Sequence, residues 1–319
     1  VRAADRLGYA TAWVSEAYGW DAFTQLGWLS AVTNRIGLAT GIVNVFSRSP
    51  ALIAQSAATL DRISGGRCIL GLGTSGPGVV EGWHGVPFQH ALQRLRETVD
   101  IVRLVLERKR LAYAGEVFRI QGGIKLAGDP VSGRVPIYLA TLGPRALRMT
   151  GEIADGWLAA FFSPSQYAAV LGEDLQYGVG RRAADAGPLS ICVYHSVVVS
   201  ADRAVGRDAV RPNLAFYLGA IRSPQHNFYN KLFQRYGFVE EAARVQQLYL
   251  DHQHDEAVRA VTDEMVDRVT IIGPPPECRE RLAELASVGV DEVAIQLTVP
   301  GGSPADTLAA IQSLAPANA

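Results

Sequence analysis

Apolar stretches rich in β-branched residues recur along the chain at 10–14, 36–43, 68–72, 135–142, 156–160, 191–199 and 290–297. Between them the apolar positions change period. Leu52, Ile53, Ala57, Leu60 and Ile63 step by helical spacing, as do Leu92, Leu95, Val99, Val102 and Leu106, which predicts amphipathic helices. Ser49-Pro50 opens the first of these with an N-cap and a proline at the first helical position, and Ser64-Gly65-Gly66 closes it. Continuous apolar strands alternating with helices predict a parallel sheet covered on both faces.

Such alternation fits a doubly wound sheet or a closed barrel. Residues 1–9 read as the tail of a helix stopped at Gly8, so a first strand is expected to be missing from this numbering. Adding it to the seven central runs gives eight strands and an α/β fold of the (β/α)8 barrel type. Two stretches break the alternation: 111–128, where Tyr113 to Ile120 read as a small hairpin, and 213–255, a long aromatic-rich helical excursion. Both are expected to be insertions on βα loops of a single domain spanning 1–319.

Charge and cysteine content narrow the partners. The 319 residues carry 30 basic and 31 acidic side chains, a formal net charge of −1, which argues against a nucleic-acid footprint or a polybasic membrane patch. No apolar run approaches the roughly 20 residues of a spanning helix. Cys68, Cys192 and Cys278 stand far apart, which suggests reduced thiols and a cytoplasmic location.

Barrel enzymes carry their chemistry at the C-terminal ends of the strands. Here those ends are mostly small: Thr40-Gly41-Ile42, Gly71-Leu72-Gly73-Thr74 and Ala140-Thr141-Leu142-Gly143. That composition suits a flat ligand lying against backbone; it supplies neither metal ligands nor a nucleophile–base pair. Gly71 to Gly76 formally match G-x-G-x-x-G, but Pro77-Gly78 follow at once and no acidic residue ends a second strand about 20 residues on. Gly143-Pro144-Arg145 is better defined, a helix start whose backbone N–H groups, with the Arg145 charge, suit a phosphate or carboxylate. Glu16, just past the strand at 10–14, is a general acid, a hydrogen-bond partner for a ring N–H, or a rim carboxylate paired with an arginine. His84 and His226 are flanked by aromatics; His252 and His254 lie in a charged stretch.

Several strings resemble one family, the F420-dependent luciferase-like oxidoreductases. They are Val14-Ser15-Glu16-Ala17-Tyr18-Gly19; Ala58 to Arg67; Gly71 to Pro77 followed by Val80-Glu81-Gly82-Trp83-His84-Gly85-Val86-Pro87-Phe88; Pro136 to Ala140 with Gly143-Pro144; Ile153 to Trp157; Asn227-Phe228-Tyr229; and Ile272-Gly273-Pro274. Within that family the pattern is similar to methylenetetrahydromethanopterin reductase-like proteins, over nearly the whole chain.

The resemblance implies a strand bulge with a non-prolyl cis peptide at Gly41-Ile42 backing a deazaflavin ring, with Thr40, Gly73 and Thr74 beside it. Thr141, Leu142, Gly143 and Arg145 are then expected at the phosphate tail of coenzyme F420. Glu16 matches a family acid near the ring and is expected as proton donor, although Ala17 stands where many relatives have histidine. Trp20, Phe46, Trp83, His84 and Phe162, with the segment 213–229, are expected to roof the substrate pocket. The implied reaction is hydride transfer between C5 of the reduced deazaflavin and a C=C, C=N or C=O bond of a small organic substrate, in a homodimer, with no metal. An FMN-dependent monooxygenase and a non-catalytic cofactor-binding member are the alternatives.

Overall fold

The computed structural model describes residues 1–132, 134–221 and 227–316. In chain order its strands are β1 (Thr11–Val14), β2 (Gly37–Thr40), β3 (Val43–Asn44), β4 (Cys68–Gly73), β5 (Leu111–Ala114), β6 (Arg119–Ile124), β7 (Ile137–Leu139), β8 (Gly156–Ala160), β9 (Ser190–Val199), β10 (Thr270–Gly273) and β11 (Glu292–Thr298). Each of the seven apolar runs contributes to one parallel sheet ordered β1-β2-β4-β7-β8-β9, with β10 and β11 both on β9 and β3 on β4. The sheet curls into a nearly closed α/β barrel with helices outside. Among the described residues β1 and β11 form no ladder with each other. The Trp13 indole N–H instead donates to Glu292 Oε1 across that junction, at 2.9 Å.

Local chemistry sets the helix ends. Ser49 accepts the Leu52 N–H to start helix Pro50–Ser64, and Gly65, at φ +71°, ends it in the left-handed conformation that glycine adopts without a Cβ penalty. The predicted hairpin is β5–β6, antiparallel. Its turn is pinned by buried Glu97, whose carboxylate accepts the N–H groups of Glu116, Val117 and Phe118. The excursion contains helices Arg203–Gly219, Phe228–Arg235, Val239–Leu250 and His254–Ala260; His226 lies outside the described residues. Strand β10 has no counterpart among the predicted runs. Helix Asp263–Val269 runs into it without an intervening loop, so its four residues carry no boundary signal.

Two large apolar clusters fill the space between strands and helices. A small third one, built on Tyr138, Leu158, Cys192 and Ala294, fills the barrel itself, with Trp13, Ile42, Ile69, Ala140 and Tyr194 packed against it. Cys68, Cys192 and Cys278 are all buried free thiols. Among the described residues no helix is long and apolar enough to cross a membrane.

Candidate active site

The β2–β4 edge is locked by one threonine. Thr40 is fully buried; its hydroxyl donates to the Gly71 carbonyl and accepts the Gly71 N–H, both at 2.8 Å. The Gly41–Ile42 peptide that follows is cis. Ile42 then lies over β4 so closely that a Cβ on Gly73 would sit 3.1 Å from its Cδ1, and a Cβ on Gly71 would sit 2.0 Å from the Thr40 carbonyl oxygen. Thr74, at the end of β4, donates to the Ser75 carbonyl at 3.2 Å and is partly exposed. Thr40, Gly41, Ile42, Gly73 and Thr74 therefore share two neighbouring strand ends.

The second expected group follows β7, the next strand over. Thr141 is buried, its hydroxyl 2.7 Å from that of Thr150, and its carbonyl accepts the Trp157 indole N–H at 2.9 Å. Gly143 is the N-cap of helix Pro144–Ile153, with no side chain capping the helix among the described residues and open space where a Cβ would be. The first-turn N–H groups of such an end need an external acceptor. Leu142 is half-buried, and Arg145, in the same first turn, is exposed.

Glu16 makes the third of the contacts foreseen for it, pairing with an arginine. Arg48 grips its carboxylate with both terminal nitrogens, Nη1 to Oε1 at 2.6 Å and Nη2 to Oε2 at 2.9 Å, and the Ala22 N–H adds a bond at 3.0 Å. Arg48 also pairs with Asp21, and the Glu16 contact raises the guanidinium pKa. In this arrangement both Glu16 carboxylate oxygens are engaged as acceptors.

The aromatic residues divide. Trp20 (82% exposed) and Trp83 (64% exposed) project into solvent from the loops after β1 and β4, with His84 half-buried beside Trp83. Phe46 is a correction: it is buried, stacked on Phe88 at 5.4 Å and covered by the Arg94 guanidinium at 4.7 Å. Phe162 is another: it is fully buried against Tyr167 and Trp157 in the outer core. Its neighbour Phe161, directly after β8, faces the helical excursion, meeting Tyr217 at 5.2 Å and Tyr229 at 5.4 Å.

The luciferase-like monooxygenase family model matches residues 1–292. The chain belongs to this family. A Mycobacterium tuberculosis relative, Rv3520c, named for coenzyme F420-dependent oxidoreductase activity, is 36% identical over 92% of this chain and 88% of its own length. The 5,10-methylenetetrahydromethanopterin reductase of Archaeoglobus fulgidus is 31% identical over 92% and 86%. The solved F420-dependent tetrahydromethanopterin reductase of Methanopyrus kandleri superposes with a TM-score of 0.82 at 24% identity, covering 98% of this chain and 91% of that one, a likeness of fold.

Two residues of this luciferase-like barrel escape sequence reasoning. Arg48 lies 32 positions from Glu16, in a loop with no periodic signal. Tyr194 sits in a mostly apolar run that does not tell inward from outward positions, and its side chain packs at the barrel-filling cluster with Ile42 and Ala140. It pairs in register with Ala160, the last residue of β8, and with Ala294. Burial raises the Tyr194 phenol above the ordinary tyrosine range, against a hydrogen bond with Ser15 that lowers it. Burial also raises the Tyr217 phenol, and the nearby Tyr194 and Tyr18 add to the shift. Among the described residues no cluster of three His, Cys, Asp or Glu side chains could hold a metal.

Proposed function

We propose that this chain is an F420-dependent oxidoreductase acting on an electrophilic C=C, C=N or C=O bond of a small organic molecule. One juxtaposition carries the reading. The apolar, glycine-backed bay of Ile42 over Gly73 lies one strand away from the uncapped helix start at Gly143. A flat ring with an anionic tail fits such a pair: the ring on apolar backbone, the phosphate on free N–H groups. The names of the Mycobacterium tuberculosis and Archaeoglobus fulgidus relatives support F420 oxidoreduction for the same scaffold.

Bound F420 supplies the hydride, from C5 of its reduced ring. The protein positions both partners and excludes water. In this reading Thr40 fixes the bay's floor through Gly71, while Thr74, Thr141, Leu142 and Arg145 flank the cofactor. Trp20, Trp83 and His84 supply a cover from the rim, together with Phe161, Tyr217 and Tyr229. Glu16 anchors Arg48 and shapes the mouth. The inward phenol of Tyr194 holds the proton that a reduced C=O or C=C bond requires. A cytoplasmic homodimer belongs to the same reading; exposed Trp28, Leu52 and Ile63 around an apolar groove between helices Ala22–Val32 and Pro50–Ser64 favour pairing of chains.

The test mixes protein and reduced F420 anaerobically with a panel of imines, ketones and enones, and follows the return of oxidised F420 fluorescence. Saturable oxidation by one chemical class is expected. Cofactor binding without oxidation by any class would leave the non-catalytic reading in its place.

A further inference from the structure

On the outside of the barrel, a groove of about 260 Å³ opens between helix Ala91–Leu106, helix Pro144–Ile153 and the end of helix Glu173–Val179. Four guanidinium groups line it, Arg96, Arg145, Arg148 and Arg181, against one carboxylate, Glu152. Two of the arginines are neutralised locally: Arg96 pairs with Glu152 at 2.6 Å and Arg148 with Asp174 at 2.8 Å. Arg145 and Arg181 are exposed, and among the described residues neither has a carboxylate partner. Tyr177 stands between two of the cations, with Arg148 at 4.7 Å and Arg181 at 4.6 Å from its ring centre. Both guanidinium groups thus lie within cation–π distance of one ring beside the groove.

We propose that this groove binds an anion carrying two or more phosphate or carboxylate groups. Like charges gathered around a concave surface repel one another unless a counter-charge fills it, and guanidinium forks match such groups in pairs. One end of the groove reaches the rim: Arg145 is the second residue of helix Pro144–Ile153, whose N-cap is Gly143, and Leu92 and Gln93 belong to the first turn of the helix opposite. Two sources share the required chemistry. One is the anionic tail of a cofactor whose ring lies in the barrel; the other is a separate soluble polyanion.

Calorimetric titration of the full chain with inorganic pyrophosphate and with the peptide Glu-Glu-Glu tests the site without reference to the ring cofactor. Stoichiometric binding is expected, weakening at least about tenfold in the Arg145→Ala/Arg181→Ala double variant and falling with added salt. An Arg145→Lys/Arg181→Lys variant, which keeps the charge, is expected to recover most of the affinity. The substituted side chains are exposed, and the melting curve of each variant checks its fold. If neither probe binds, or the alanine variant binds as well as the parent, the proposal is overturned. F420 and its tail-free deazaflavin core distinguish the sources. A tail occupant makes the alanine variant weaker for F420 alone, whereas a separate polyanion still binds after F420 saturation.

Discussion

Arg48 holds Glu16 in a two-pronged ion pair, with nitrogen–oxygen distances of 2.6 and 2.9 Å, at the mouth of the barrel. Both side chains are mostly buried, so removing one partner leaves a charge that solvent only partly compensates. Arg48→Ala is expected to lower stability by about 1–3 kcal/mol, read as a shift of the urea midpoint at constant slope. Glu16→Gln is expected to weaken F420 binding while leaving the shape of the pH–rate profile unchanged. Loss of a titrating limb in Glu16→Gln would return the proton to Glu16.

Tyr194 carries the complementary prediction. Burial raises its phenol above the ordinary tyrosine range, so it stays protonated beyond that range, and activity on ketones or enones is expected to fall only as the pH climbs past it. Tyr194→Phe is expected to reduce kcat roughly 10²- to 10⁴-fold, to retain F420 binding, and to lose that alkaline limb. An unchanged kcat would exclude the phenol as proton source.

Gly71 makes the closest backbone approach at the bay. A methyl group there would sit 2.0 Å from the Thr40 carbonyl oxygen, so Gly71→Ala forces β2 and β4 apart. A loss of roughly 3 kcal/mol or more is expected, at the upper end of overpacking penalties, together with loss of F420 binding. Gly76→Ala is the control. Its Cβ meets open space, and a change within about 0.5 kcal/mol is expected by chemical denaturation.

His195 governs a stability slope. It lies on β9, buried, with Nδ1 lacking a partner among the described residues, and burial together with the nearby Arg281 charge lowers its pKa to about 4. Between that value and the unfolded value of 6.5, the unfolded chain holds a proton that the folded chain does not. Stability is therefore expected to rise with pH across this window, and to fall as the pH drops through it, by up to about 1.4 kcal/mol per pH unit from this group. His195→Leu is expected to flatten that part of the curve, measured by urea unfolding at a series of pH values.

Much of the scaffold is legible in the sequence because parallel strands buried on both faces produce unbroken apolar runs bounded by glycine and proline. The same property hides the site. In a run such as 191–199 nothing tells which side chains face the barrel and which face the helices, so Tyr194 and His195 look alike although one packs at the interior cluster and the other is buried on β9 without a partner for its Nδ1 among the described residues. A one-residue ambiguity likewise separates Phe162, packed in the core, from Phe161, which meets Tyr217 of the helical excursion. Arg48 is invisible for a different reason: its pairing with Glu16 depends on how two loops close over the barrel. The Gly143-Pro144 helix start is readable because its signal is local and covalent.

Separate fluorescence titrations with F420 and with FMN test the central claim most directly, since the two rings differ at position 5 while sharing their overall shape. The account predicts micromolar or tighter binding of F420 with much weaker binding of FMN, and loss of the F420 signal in Gly71→Ala. Preferential binding of FMN would contradict it and move the chain to oxygen-dependent flavin chemistry.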